Sequence, residues 1–223
     1  MATSEDWLAA LETYHVPVER LLRSVLERLA GDEELRRDFD LSGFQPYPSP
    51  SDEIDCQNPW FFVVAMNGAG SAYGLYVHPE VIRDGVAPWV FWEHEDDGIF
   101  FLADDSAAFF GGFVASVADW CRDRAQLERM RAALARLGVT TDVPPLDLAP
   151  ADTGPNRPWL PPREADLLTT GEYLALRSTD PGSAERGLLG RWHYLRDPEA
   201  GRALDDLYRA KNWAPPRAYP RGA

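Results

Sequence analysis

A chain of 223 residues with 45% apolar side chains has room for one full domain, or for one domain plus a small appendage, and its 10 Phe, 8 Trp and 8 Tyr exclude wholesale disorder. The formal charge of −14 is unevenly placed: residues 1–150 hold 26 acids and 11 bases, whereas residues 151–223 hold 10 acids and 11 bases. A field of that sign disfavours nucleic acid and anionic membrane as partners, and two cysteines, Cys56 and Cys121, do not make a disulfide framework in a chain this long.

Thr3 and Asp6 read as a capping-box start, with Trp7, Leu8 and Leu11 at helical spacing behind them. Pro17 suits the first position of a second helix, whose stripe of Val18, Leu21, Leu22, Val25, Leu26 and Leu29 ends at Gly31. From Gly43 to Pro59 the chain is rich in Pro, Ser and Asp and reads as an irregular loop. Four short apolar runs follow: Trp60–Met66, Tyr73–Val77, Trp89–Trp92 and Ile99–Leu102. Their aromatic and β-branched content and the turn formers between them predict strands, with Asp97-Gly98 as a hairpin turn. Trp60–Met66 and Trp89–Trp92 lack polar alternation, which predicts cover on both faces.

Asp104, Asp105 and Ser106 suit the cap of a helix striped by Phe109, Phe113 and Val117, in which Gly111 and Gly112 imply close packing on the sheet. A further helix spans about Arg122 to Leu137 and stops at Gly138. Residues 144–163 form a proline-rich linker. Beyond it the pattern is helical. Thr169 and Glu172 form a capping box, and Asp180-Pro181 and Asp197-Pro198 are cap-plus-proline helix starts.

The reading is an α+β protein: a domain over residues 1–143 with a central, mostly antiparallel sheet of about four to six strands flanked by N-terminal and C-terminal helices. A helical extension over 164–213 packs on that domain, and 214–223 form a flexible tail. The strand order stays open, because the connection from Val77 to Trp89 reaches either neighbour. No apolar run approaches the ~18 residues that span a bilayer, and Met1–Trp7 lacks the regions of a signal peptide, so a cytoplasmic protein with no membrane partner is expected.

Between Asp38 and Cys121 stand fourteen carboxylates and a single basic residue, Arg83. Through this stretch an apolar strand ends in Asn67-Gly68-Ala69-Gly70, and a strand with Tyr73 and Leu75 follows. Another runs into Trp92-Glu93-His94-Glu95, and a short strand leads through Ala103 and Asp104 to a helix with Phe109. In this order of elements residues 45–120 resemble the SUKH superfamily. They depart from it where 46–59 read as loop and in the extension after residue 163. The resemblance implies an α+β domain used for protein binding, many of whose bacterial members are immunity proteins that neutralise toxins, often nucleases.

The expected function is therefore an immunity protein that occludes a basic toxin domain, with no enzymatic activity, no cofactor and no nucleic-acid partner. Its contact residues would be Glu93, Glu95, Asp96, Asp97, Asp104 and Asp105 for charge, with Trp60, Tyr73 and Trp92 supplying apolar area. Other chemistry fits the pattern less well. If 93–95 continue a strand, Glu93 and Glu95 point to one face and His94 to the other, so no metal site is expected there. Asn67–Tyr73 holds two of the three glycines of a dinucleotide loop but runs into a strand, not a helix. Cys121, His15, His78 and His193 read as packing or surface residues. A carboxylate-based hydrolase and a scaffold whose acidity serves solubility are the competing classes.

Overall fold

The computed structural model of the protein describes residues 4–13, 16–49, 60–94, 98–147 and 181–215. Thr3, Cys56, Glu95, Asp96, Asp97, the Thr169–Glu172 capping box and most of the 144–163 linker lie outside those residues. So does His15.

The four apolar runs are strands to within a residue: β2 Phe61–Met66, β3 Ala72–Tyr76, β4 Trp89–Glu93 and β5 Gly98–Ala103. A further strand, β1 Gln45–Ser49, lies where the sequence reads as loop. Pro46 and Pro48 remove two backbone donors, which suits β1 to the sheet edge it occupies. The order β1-β2-β3-β4-β5 is an antiparallel meander, which settles the Val77–Trp89 connection. Within that connection Arg83 and Val86 bridge across Asp84 and Gly85, whose φ of 51° and 77° make a two-residue hairpin turn.

Alternation along the strands sorts side chains to two faces. Phe62, Leu75, Trp89 and Phe91 face one core; Phe61, Val63, Tyr76, Val90 and Trp92 face the other. The first core is closed by α1 Ser4–Thr13, α2 Arg20–Gly31, α3 Glu33–Leu41, α4 Ser106–Trp120 and α5 Arg124–Arg136. The second is closed by α6 Pro181–Leu195 and α7 Pro198–Lys211 through Ala184, Leu188, Trp192, Leu204 and Tyr208. The result is a helix–sheet–helix sandwich, so the C-terminal extension is a layer of the fold.

Two helix details differ from the sequence reading. Helix α2 starts at Arg20, not Pro17, because Glu19 keeps an extended backbone (φ −57°, ψ 144°) and directs its carboxylate to Ser106. Gly111 and Gly112 admit the segment after α5 rather than the sheet: a Cβ there would lie 2.5 Å from the Thr140 oxygen and 2.8 Å from Leu146 Cδ2. The unpredicted α3 is tied to α5 by Arg129, which donates from Nε and Nη2 to the two oxygens of buried Asp38 at 2.7 and 2.8 Å. Among the described residues no helix is long and apolar enough to cross a membrane.

Candidate functional site

The residues expected to form one acidic contact surface are distributed by the sheet to different places. Because β4 and β5 run antiparallel, Glu93 lies at one end of the sheet and Asp104 and Asp105 at the other. The three aromatics are core residues. Trp60 and Trp92 are 1% and 3% exposed beneath α6 and α7, while Tyr73 faces the opposite core among Phe44, Phe91, Phe109 and Phe113. Burial pushes the Tyr73 phenol up from its ordinary range. None of the three offers the free apolar surface expected of it, because both faces of the sheet are covered. Glu95, Asp96 and Asp97 lie outside the described residues.

At the end where β3 and β5 finish and β4 begins, the loops carry Glu80, Asp84 and Asp104, all exposed. Among the described residues none of the three pairs with a Lys or Arg side chain. Arg83, the one base of this stretch, turns its Nη1 to the carbonyl oxygens of Glu80 and Ile82 at 2.7 and 3.2 Å. Asp105 accepts from the Ala108 amide at 2.8 Å and caps α4. Beside it the Glu19 carboxylate accepts from the Ser106 amide at 2.9 Å and from the Ser106 hydroxyl at 2.7 Å. Burial holds the Glu19 carboxyl above its ordinary value of 4.5, against the lowering effect of those two hydrogen bonds.

The same end holds a buried polar contact between the sheet and α6. Glu185 accepts from Trp60 Nε1 at 2.7 Å through one oxygen, and its other oxygen lies 2.7 Å from His78 Nε2. His78 Nδ1 accepts the Glu80 amide at 3.1 Å, which leaves the ring hydrogen on Nε2, directed at Glu185. Both side chains are fully buried, so this is a structural clasp and not a site open to substrate. The sequence pattern concealed it, since Glu185 stands 107 residues beyond His78.

The opposite end is built on a tight turn, Asn67–Ser71, between β2 and β3. Asn67 Oδ1 accepts the Ala69 and Ser71 amides at 3.0 and 2.9 Å, and Gly70 takes φ 95°, a backbone that favours glycine. The register Tyr73↔Phe91 and Ala72↔Trp92 carries on to set Ser71 opposite Glu93. The Ser71 hydroxyl donates to Glu93 Oε1 at 3.0 Å and lies 3.2 Å from His94 Nδ1. His94 Nδ1 in turn lies 3.4 Å from Glu93 Oε1. Strand β4 ends at Glu93, so His94 is in a turn and its ring folds over Gly70 onto the same side as Glu93. The expectation that Glu93 and His94 oppose each other across a strand is thus overturned. Ser71 is 2% exposed, which keeps its oxygen from serving as a nucleophile toward a substrate.

Cys121, which follows α4, is half-buried and directs its thiol to the Asp123 carbonyl at 3.3 Å. Comparison with protein-family models, with curated proteins and with solved structures finds no match to this chain.

Proposed function

We propose that this chain is a protein-binding domain of the kind its central motifs resemble, the SUKH superfamily, and that it acts as an immunity protein occluding a cationic toxin. The observation that carries this reading is the acidic end of the sheet. Glu80, Asp84 and Asp104 are presented to solvent there, and Arg83 is turned onto backbone carbonyls instead of neutralising them. Exposed charges of one sign raise the association rate of a partner of the other sign, and those that become buried slow its release. The aromatic residues play no direct part, since they form the two cores; they hold rigid the strands from which the acidic loops project.

The test is capture of a partner from the native cells at low salt, followed by elution with a salt gradient. Raising ionic strength from 0.1 to 1 M shortens the Debye length from ~10 to ~3 Å. A stoichiometric basic protein is expected to be released on that gradient, and the triple variant Glu80→Lys, Asp84→Lys, Asp104→Lys is expected to capture none of it. Capture indifferent both to salt and to the triple reversal would overturn the reading.

A further inference from the structure

From the two ring contacts of His78 we infer that α6 positions the loop bearing Glu80 and Asp84: Glu185 holds His78 in one tautomer, and that tautomer fixes the backbone from which the two carboxylates meet the partner. The inference rests on the partner reading above and adds to it two positioning residues that are themselves buried.

The connection from β3 to β4 opens on the turn His78-Pro79-Glu80-Val81, and His78 receives the amides of three successive residues there. Its Nδ1 accepts the Glu80 amide at 3.1 Å, and its carbonyl oxygen accepts the Val81 and Ile82 amides at 2.9 and 3.2 Å. Pro79 has no amide to place. Arg83 closes the same turn from outside, on the carbonyl oxygens of Glu80 and Ile82, and then exchanges backbone hydrogen bonds with Val86 at 3.0 and 2.8 Å around Asp84 and Gly85. Glu80 and Asp84 are thus exposed side chains on a backbone that is tied down at each step.

A ring nitrogen accepts only while it carries no hydrogen. Nδ1 stays bare because the hydrogen sits on Nε2, held there by the Glu185 oxygen 2.7 Å away. The ring is also confined, with Trp60 and Trp213 edge-on to it at 4.9 and 4.8 Å between centroids. Were His78 only a tie between the sheet and α6, Nε2 would suffice. Its second nitrogen carries the tie on to the amide of an exposed acid, so the contact passes from the buried layer to the surface. A loop ordered in advance spares a partner the cost of ordering it on binding.

The experiment uses the full chain, with decalysine as the cationic probe at low salt. Long-range proton–nitrogen correlation spectra of the wild type are expected to show the His78 hydrogen on Nε2 alone, with slow exchange of the Glu80 amide; both are read without any variant. Two substitutions then separate the two nitrogens. His78→Gln reaches Glu185 with its amide hydrogens but leaves the Glu80 amide without its acceptor. It is expected to speed exchange at Glu80 and to bind decalysine about 5-fold more weakly. His78→Asn gives up Glu185, yet its Oδ1 accepts the amide two residues on, and it is expected to recover most of that loss. A tie that served stability alone would rank the two variants the other way. A hydrogen on Nδ1 in the wild type, or equal affinity of the wild type and His78→Gln, would overturn the inference and leave the partner reading standing. A wild type that fails to bind decalysine would overturn the partner reading, and the inference with it.

Discussion

Glu19 stands at the junction of the N-terminal helices and the start of α4, where its carboxylate takes both the amide and the hydroxyl hydrogen of Ser106. Because burial raises its pKa, the folded state holds the Glu19 proton more firmly than the unfolded chain does. Its contribution to stability is complete below the unfolded value and declines as pH rises through the raised folded value. A neutral isostere removes that decline. Glu19→Gln is therefore expected to match the wild type near pH 4 and to gain on it as pH increases toward 7, as read from urea denaturation at several pH values. An equal difference at every pH would refute this. At this scale the sequence was least legible. Ser71, Glu93 and His94 meet only through a strand register, and Glu185 finds Trp60 and His78 only through the docking of α6. Neither relation leaves a spacing signal in the chain.

Helix starts and strand cores were far more legible, because their causes are local. Asp105 and the Asp197-Pro198 pair each cap a helix through a side-chain oxygen, and uninterrupted apolar runs mark strands buried on both faces. Two elements were missed for equally local reasons. Helix α3 is a short, mostly charged segment that buries only Leu35, Asp38 and Phe39, and β1 carries two prolines. One further dependence lies between elements. Strands β2 and β3 approach so closely at Gly74 that a Cβ there would stand 2.2 Å from the Phe62 carbonyl and 2.6 Å from the Phe61 ring. Backbone cannot yield by the distance required. Gly74→Ala is expected to cost about 3 kcal/mol or more in chemical denaturation, and a change below about 0.5 kcal/mol would show that the two strands are free to separate there.

For the molecule as a whole, both the α+β class and the need for cover on both faces of the sheet followed from the unbroken apolar strands. What composition alone could not tell was how the surface charge divides. The meander sends Glu93 to one end and Asp104 to the other, so a run of acids that is continuous in sequence becomes two separate places. Among the described residues, the second core is covered by α6 and α7. Without them Trp60, Phe61, Val63, Tyr76, Val90, Trp92 and Ile99 would lose the cover those helices give, each large apolar side chain being worth about 1.5–3 kcal/mol when buried. That sum rivals the whole stability of a typical domain. A chain ending at Asp147 is expected to self-associate and to bind an apolar dye strongly, as seen by size-exclusion chromatography and fluorescence. A monomeric truncation that binds no dye would show that the sheet stands on one layer of helices.

The order in which these parts leave the ribosome follows from the same arrangement. Among the described residues the last strand ends at Ala103, and the helices that cover the second face end at Lys211. At roughly 5–20 residues per second, synthesis of the intervening stretch takes on the order of 5–20 s. Through that interval the nascent chain holds all five strands of the described sheet while α6 and α7, which cover its second face, are not yet complete. The protein is thus born with a transient apolar surface, and the cell's holding chaperones have a defined window in which to meet it.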